Sequence, residues 1–371
     1  MKKILFLFGT RPEAIKMAPL IKCFSNDINF DVKVGVTAQH REMLDQVLTF
    51  FDIKVDYDLN IMKPNQTLHK LTADLILRIT DEILSKEDFD YVFVQGDTTT
   101  VLSSALAAFY KKIKIVHIEA GLRSNNMHSP FPEEMNRVLT SKLSSYHFCP
   151  TENSKENLIN EKINTNVFVV GNTVIDALLF GINKIKENKE YLLIEKYNFI
   201  DFSRKIILVT CHRRENFGKP FEEICDALLA IAAKYNDIEI VYPVHLNPNI
   251  KEIAYKKLIA KNIKLIAPLD YPELIWMMNK SNIILTDSGG IQEEAPSLGK
   301  PVLVLREVTE RTEGVDAGTA ILVGSNKNKI VSETIKLLKD VEYYNSISIA
   351  TNPYGDGTTS EKIKNIIFLD K

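Results

Sequence analysis

Near the start of the chain stands Ile4-Leu5-Phe6-Leu7-Phe8-Gly9-Thr10-Arg11-Pro12-Glu13-Ala14-Ile15-Lys16, an unbroken apolar run that passes straight into a charged turn. Five consecutive apolar residues fit a strand buried on both faces, as parallel sheets require. Pro12 suits the first position of a helix, and Ala14, Met17, Ala18 and Ile21 then recur at helical spacing, a stripe that packs on a sheet. Such a junction puts the helix's free N–H groups and positive dipole end beside Arg11 and Lys16, so the turn reads as an anion site for a phosphate-bearing ligand. The alternative is a βα turn that is merely basic. Neither G-x-G-x-x-G nor G-x-x-x-x-G-K-[ST] occurs, which excludes the dinucleotide fingerprint and the mononucleotide P-loop.

The same rhythm runs through the whole chain. Candidate strands at Ile4 to Phe8, Val32 to Val36, Tyr91 to Gln95, Ile115 to Glu119, Tyr146 to Cys149 and Val167 to Val170 alternate with amphipathic stretches. A second series follows at Ile206 to Thr210, Ile238 to Val244, Ile263 to Ala267, Ile283 to Thr286, Val302 to Leu305 and Ala320 to Val323. This pattern predicts an α/β protein with two Rossmann-like doubly wound domains facing a central cleft. The expected domains are residues 1–170 and 171–357, with a hinge near Gly171. A last helix, Glu361 to Phe368 within 358–371, would fold back onto the first domain.

The chain has 371 residues, more than one core usually fills. Its net charge of −2 gives no basic field for nucleic acid. The apolar run after Met1-Lys2-Lys3 is too short for a signal peptide or membrane span, so the sequence reads as cytoplasmic, with no membrane partner. Cys23, Cys149, Cys211 and Cys225 lack metal or disulfide spacing and read as structural thiols, and no metal site is expected.

Open α/β sheets bind ligands at the carboxyl ends of their strands, so residues just after strands are the candidates. Asp97, in Gln95-Gly96-Asp97-Thr98, either caps the next helix or projects into the crevice. Glu119 ends a buried strand, where an acid is seldom present for packing. Glu133 and Glu134 follow Pro132 in a first helical turn, where negative charge also suits the helix alone. In the second half, Cys211-His212-Arg213-Arg214 clusters cations at a strand end, with a surface salt-bridge loop as the alternative. His245 stands at another strand end and reads equally as a turn residue. Asp287-Ser288-Gly289-Gly290 lets backbone N–H groups approach a diphosphate, or else begins a helix with a Ser cap. Glu294 could accept two ribose hydroxyls, and Arg311 follows the strand Val302 to Leu305.

Together, Gly9-Thr10-Arg11-Pro12-Glu13, Gly96-Asp97-Thr98-Thr99-Thr100, Glu119-Ala120-Gly121, Pro132-Glu133-Glu134, His212-Arg213-Arg214-Glu215 and Asp287-Ser288-Gly289-Gly290 give the chain a resemblance to the bacterial non-hydrolysing UDP-N-acetylglucosamine 2-epimerases. That family has the GT-B-like two-domain fold. The resemblance implies interconversion of UDP-N-acetylglucosamine and UDP-N-acetylmannosamine by a homodimer without cofactor, supplying N-acetylmannosamine-type sugars for bacterial surface polysaccharide. It implies catalytic roles for Asp97, Glu119, Glu133 and His212. Nucleotide-sugar contacts would fall on Arg11, Lys16, His212, Ser288, Gly289, Gly290, Glu294 and Arg311, with Asp97 and Glu119 also touching substrate, and with Leu269 and Leu274 near the base where relatives often carry Gln and Phe. A second, regulatory substrate site would fall on Gln39, His40, Arg213 and His245.

The C2 proton of the sugar has no adjacent carbonyl to acidify it, so elimination of UDP to a 2-acetamidoglucal, followed by re-addition, is the expected route. Rival readings are a hydrolysing epimerase that releases UDP and free sugar, a GT-B glycosyltransferase, and a non-catalytic UDP-sugar sensor. The last would have no use for three crevice carboxylates.

Overall fold

The computed structural model describes residues 1–38, 41–63, 65–188 and 190–370. The chain forms two compact units, Met1–Ala177 with Tyr354–Lys371, and Leu178–Pro353. The first boundary falls inside the helix Thr173–Asn188 rather than after Val170, because that helix runs uninterrupted from one unit into the next.

The first unit is built on a parallel sheet of β1 (Lys2–Phe8), β2 (Phe30–Val36), β3 (Tyr57–Asp58), β4 (Tyr91–Gln95), β5 (Lys114–Ile118), β6 (Tyr146–Cys149) and β7 (Val167–Val169), in the order β3-β2-β1-β4-β5-β6-β7. The second unit's sheet contains β8 (Lys205–Thr210), β9 (Ile238–Pro243), β10 (Ile263–Ile266), β11 (Ile283–Thr286), β12 (Val302–Val304) and β13 (Ala320–Leu322), in the order β10-β9-β8-β11-β12-β13. Every strand pair in both sheets is parallel. The fold is therefore α/β with two doubly wound, Rossmann-like sheets. Strand order reverses between β1 and β4 in one sheet and between β8 and β11 in the other, and ligands of such sheets bind at these switch points.

Continuous apolar strands make the cores. Ile4 to Phe8 are fully buried, and Phe6, Phe24 and Phe93 interlock with ring centroids 4.7 to 5.8 Å apart. The stripe Ala14, Met17, Ala18 and Ile21 of the helix Arg11–Ser25 is buried with them. Around the second sheet, Ile207, Val209, Phe221, Leu228, Ile240 and Leu285 form one cluster.

The helix Thr359–Leu369 belongs to the first unit despite its place in sequence. Its Ile363 and Ile367 are buried, Phe368 meets Phe30 edge-on, and the Lys2 ammonium donates to the carbonyl of Ile367 at 2.6 Å. Among the described residues, no helix is long and apolar enough to cross a membrane, and no cluster of three or more His, Cys, Asp or Glu could hold a metal ion. The four cysteines are free thiols.

Candidate active site

In the first unit the candidates gather at the carboxyl ends of β1, β4 and β5. The β1 turn is not the open anion site expected from sequence. The buried Glu13 carboxylate accepts the N–H groups of Gly9 at 2.8 Å and Thr10 at 2.7 Å, so the turn already holds an anion of its own. The other Glu13 oxygen accepts the Thr98 hydroxyl at 2.5 Å, tying the turns after β1 and β4 together. Burial pushes the Glu13 carboxyl above its ordinary value, against the pull of those donors. Arg11 opens the helix half-buried, and its guanidinium makes no hydrogen bond or ion pair among the described residues.

Lys16, one turn further, reaches Glu119 with Nζ 2.6 Å from Oε1 and 2.5 Å from Oε2. Glu119 also accepts from Gln95 Nε2 and from Asn172 Nδ2, the latter at 3.2 Å. β5 ends at Ile118, so Glu119 lies just past the strand rather than within it, in the left-handed region at φ 63°. Gly121 completes the turn at φ 87°, where a Cβ would lie 2.0 Å from the Ser154 carbonyl oxygen, so only glycine fits.

Asp97 does not cap the helix that follows. Thr98 does so, its side chain accepting from Val101 N–H, and the Asp97 carboxylate is left to Arg137. Arg137 Nε and Nη2 lie 2.8 and 2.7 Å from Asp97 Oδ2. Burial raises the Asp97 carboxyl above its usual range and the charge of Glu119 raises it further, while Arg137 and Lys16 oppose them. Glu133 and Glu134 open the helix Glu133–Leu143. Glu134 is buried and structural: it takes the N–H groups of Ser124 and Asn125, each at 3.0 Å, and Arg137 Nη1 at 2.9 Å. Glu133 is half-buried and makes no hydrogen bond or ion pair among the described residues.

The second unit repeats the arrangement after β8 and β11. Asp287, fully buried, accepts the N–H groups of His212 at 2.9 Å and Arg213 at 2.8 Å, and the Asn216 amide at 3.0 Å, all on Oδ2. Its Oδ1 lies 3.2 Å from His212 Nδ1. Burial alone would raise this carboxyl, but the His212 ring and these N–H donors hold it down at about 2. The His212 ring stacks on His245 with centroids 5.8 Å apart and planes at 22°, and His245 Nδ1 accepts Asn247 N–H at 3.1 Å.

Ser288 stands at the N-cap position of the helix Gly289–Glu294, but its hydroxyl makes no capping bond. A Cβ on Gly289 would lie 3.6 Å from Arg311 Cζ and 3.8 Å from Arg213 Nη2, so two guanidiniums cover this glycine. Arg311 is steered by Glu293, with Nε 2.6 Å from Oε1. The buried Glu294 carboxylate receives the Tyr271 hydroxyl at 3.4 Å, which pushes the phenol well up on top of the effect of burial. Leu269 lies in the turn after β10 and Leu274 in the helix Tyr271–Lys280, both half-buried. Gln39 and His40 lie outside the described residues.

A family model described as UDP-N-acetylglucosamine 2-epimerase matches residues 22–368. The Escherichia coli (strain K12) protein named UDP-N-acetylglucosamine 2-epimerase is 54% identical over 365 residues, 97% of each chain. The chain belongs to the UDP-N-acetylglucosamine 2-epimerase family. The Campylobacter jejuni epimerase is 54% identical over 379 residues, covering 100% of this chain and 98% of its own. The crystal structure of the Neisseria meningitidis UDP-GlcNAc 2-epimerase bound to UDP-GlcNAc superposes with a TM-score of 0.88 at 50% identity, over 99% of this chain and 100% of that one. The 2-epimerase fold is thus the GT-B-like pair of sheets expected from sequence.

The structure brings Lys16, Asp97 and Glu119 together in the first unit, and His212, Arg213, Gly289 and Arg311 in the second. Sequence reading missed the residues that hold them: Glu13, Arg137, Tyr271, Glu293 and Glu310. Thr10 to Glu13 does carry capping-box spacing, and Glu134 to Arg137 is an i,i+3 pair on one helix face. Glu310 does have Arg306 four residues before it and Arg311 beside it, and it pairs with both, whereas Tyr271 and Glu293 carry no local signal, because their partners Glu294 and Arg311 are remote in sequence.

Proposed function

We propose that the chain epimerises UDP-N-acetylglucosamine at C2, giving UDP-N-acetylmannosamine, without net hydrolysis. The observation that carries this reading is the Asp97 carboxyl. It is held by Arg137 at 2.8 Å, and burial and the neighbouring charge of Glu119 raise it above the ordinary carboxylate range, which favours a group that takes up and releases a proton.

In the elimination step a carboxylate takes the proton from C2, the C2–H electron pair forms the C1=C2 bond, and the C1–O electrons leave with the diphosphate. The products are 2-acetamidoglucal and UDP. Re-addition of the same UDP oxygen at C1, with a proton delivered to the opposite face of C2, completes the epimer. Two proton-transfer groups on different sides of the ring are required, and we assign them to Asp97 and the half-buried Glu133. Glu119, already committed to Lys16, orients that ammonium and the sugar.

His212, Ser288, Gly289, Gly290 and Arg311 bind the departing diphosphate, together with Arg11. Each well-placed donor at such a site stabilises developing charge by ~3 kcal/mol. Glu294, oriented by Tyr271, accepts the ribose hydroxyls, and Leu269 and Leu274 flank the base. The proposal extends to a homodimer that supplies N-acetylmannosamine-type sugars for surface polysaccharide, and to a regulatory substrate site that includes Arg213 and His245.

Incubation with UDP-N-acetylglucosamine in deuterated water, followed by proton NMR, tests the reaction. UDP-N-acetylmannosamine with deuterium at C2 and intact diphosphate is the expected outcome. Stoichiometric UDP with free sugar would assign the hydrolysing reaction instead, and unlabelled, unchanged substrate would overturn the proposal.

A further inference from the structure

Arg213 and Arg311 share a carboxylate oxygen. Glu310 Oε1 lies 3.6 Å from Arg213 Nη2 and 3.7 Å from Arg311 Nη1, while its other oxygen is anchored on Arg306 Nη1 at 2.7 Å. Arg306 is in turn fixed by Glu215, with Nε 2.6 Å from Oε1, and its side chain is only 10% exposed. The anchored oxygen is therefore gripped, and the shared oxygen is at ion-pair distance but not locked. The two guanidiniums it touches are those lying against Gly289.

From this geometry we infer that Glu310 is a resident counter-ion whose Oε1 stands where an entering phosphate oxygen competes for Arg213 and Arg311. The inference rests on the proposed UDP site. Within the cluster, Arg213, Arg306 and Arg311 face Glu215, Glu293 and Glu310, three cations against three anions. A balanced cluster attracts a diphosphate less than the bare arginines would, so Glu310 limits how tightly UDP is held. Such a limit suits a reaction in which UDP must leave the sugar, stay nearby, and finally depart. The Glu310 side chain is 48% exposed, so its effect is screened and modest.

Calorimetric titration with UDP at low and high salt tests this, using wild type, Glu310→Gln and Glu310→Ala. Both variants are expected to bind UDP about fivefold more tightly at low salt, the size of an exposed ion pair, with the gain shrinking as salt rises. Glu310→Asp, which keeps the charge but draws the oxygen back, is expected to fall between. Loss of one variant to misfolding leaves the other to decide. Wild-type binding with equal or weaker binding by the variants would overturn the counter-ion role, because a carboxylate that merely shaped the loop would weaken UDP when removed. Failure of wild type itself to bind UDP would instead remove the nucleotide site on which the inference stands.

Discussion

Arg137 gives both Nε and Nη2 to one oxygen of Asp97, Oδ2, and gives Nη1 to Glu134, so one guanidinium joins the carboxylate after β4 to the loop that precedes Glu133. Burial raises the Asp97 carboxyl and Arg137 is the largest force opposing it. Replacing Arg137 by Met removes the opposing charge, so Asp97 is expected to stay protonated to higher pH. The limb of the kcat/KM profile that reports Asp97 should move upward in pH, with activity down by about 10²-fold from lost positioning. An unmoved limb would show that Arg137 does not control Asp97.

Asp97→Asn removes the proton-transfer group while keeping its size. Turnover is expected to fall by about 10²- to 10⁴-fold with UDP affinity within a few-fold of wild type, measured by coupled assay and calorimetry. Near-normal turnover would take Asp97 out of the mechanism.

The Lys16–Glu119 pair is largely buried, with side chains 17% and 6% exposed. Glu119→Gln removes the carboxylate that lies against this ammonium, and a buried pair broken from one side typically loses about 3 kcal/mol. Urea unfolding should show the loss, and a Lys16→Met/Glu119→Gln double variant should recover part of it, since the buried ammonium is then gone as well. A double variant no more stable than the single one would rule out this account.

His117 and His147 sit opposite each other on β5 and β6, both buried. Burial holds each ring down at about 4, against an ordinary value of 6.5. In the unfolded chain these rings bind protons first, so their contribution is full above about 6.5 and is lost as pH falls from there towards 4. For a single such ring the loss is about 3 kcal/mol, and the two interact, so their effects do not add. Urea unfolding across this window should show stability declining with acid, and His147→Gln should flatten the decline. An equally steep curve in the variant would place the acid sensitivity elsewhere.

Much of the architecture was legible because buried parallel strands are written as continuous apolar runs. Tyr91 to Gln95, Tyr146 to Cys149 and Ile283 to Thr286 lie where the runs predict. β3 escaped because Tyr57–Asp58 is two residues long and carries no pattern. Glu119 was placed on its strand because the apolar run ends beside it, whereas its left-handed backbone is imposed by the turn with Gly121. The cap after β4 went to Thr98 rather than Asp97, since either side chain can accept at that point and only the remote Arg137 decides between them. The anion reading of the first turn overlooked Glu13, although its spacing from Thr10 was visible.

The helix Thr359–Leu369 closes over residues that a ribosome made first. Phe30, Lys2 and the flank of the helix Arg11–Ser25 wait for partners translated after every strand of the other sheet. A nascent chain stopped just short of Tyr354 would carry a whole second unit and an uncovered first one, so premature termination should yield a chaperone client with Phe30 laid bare rather than a usable half.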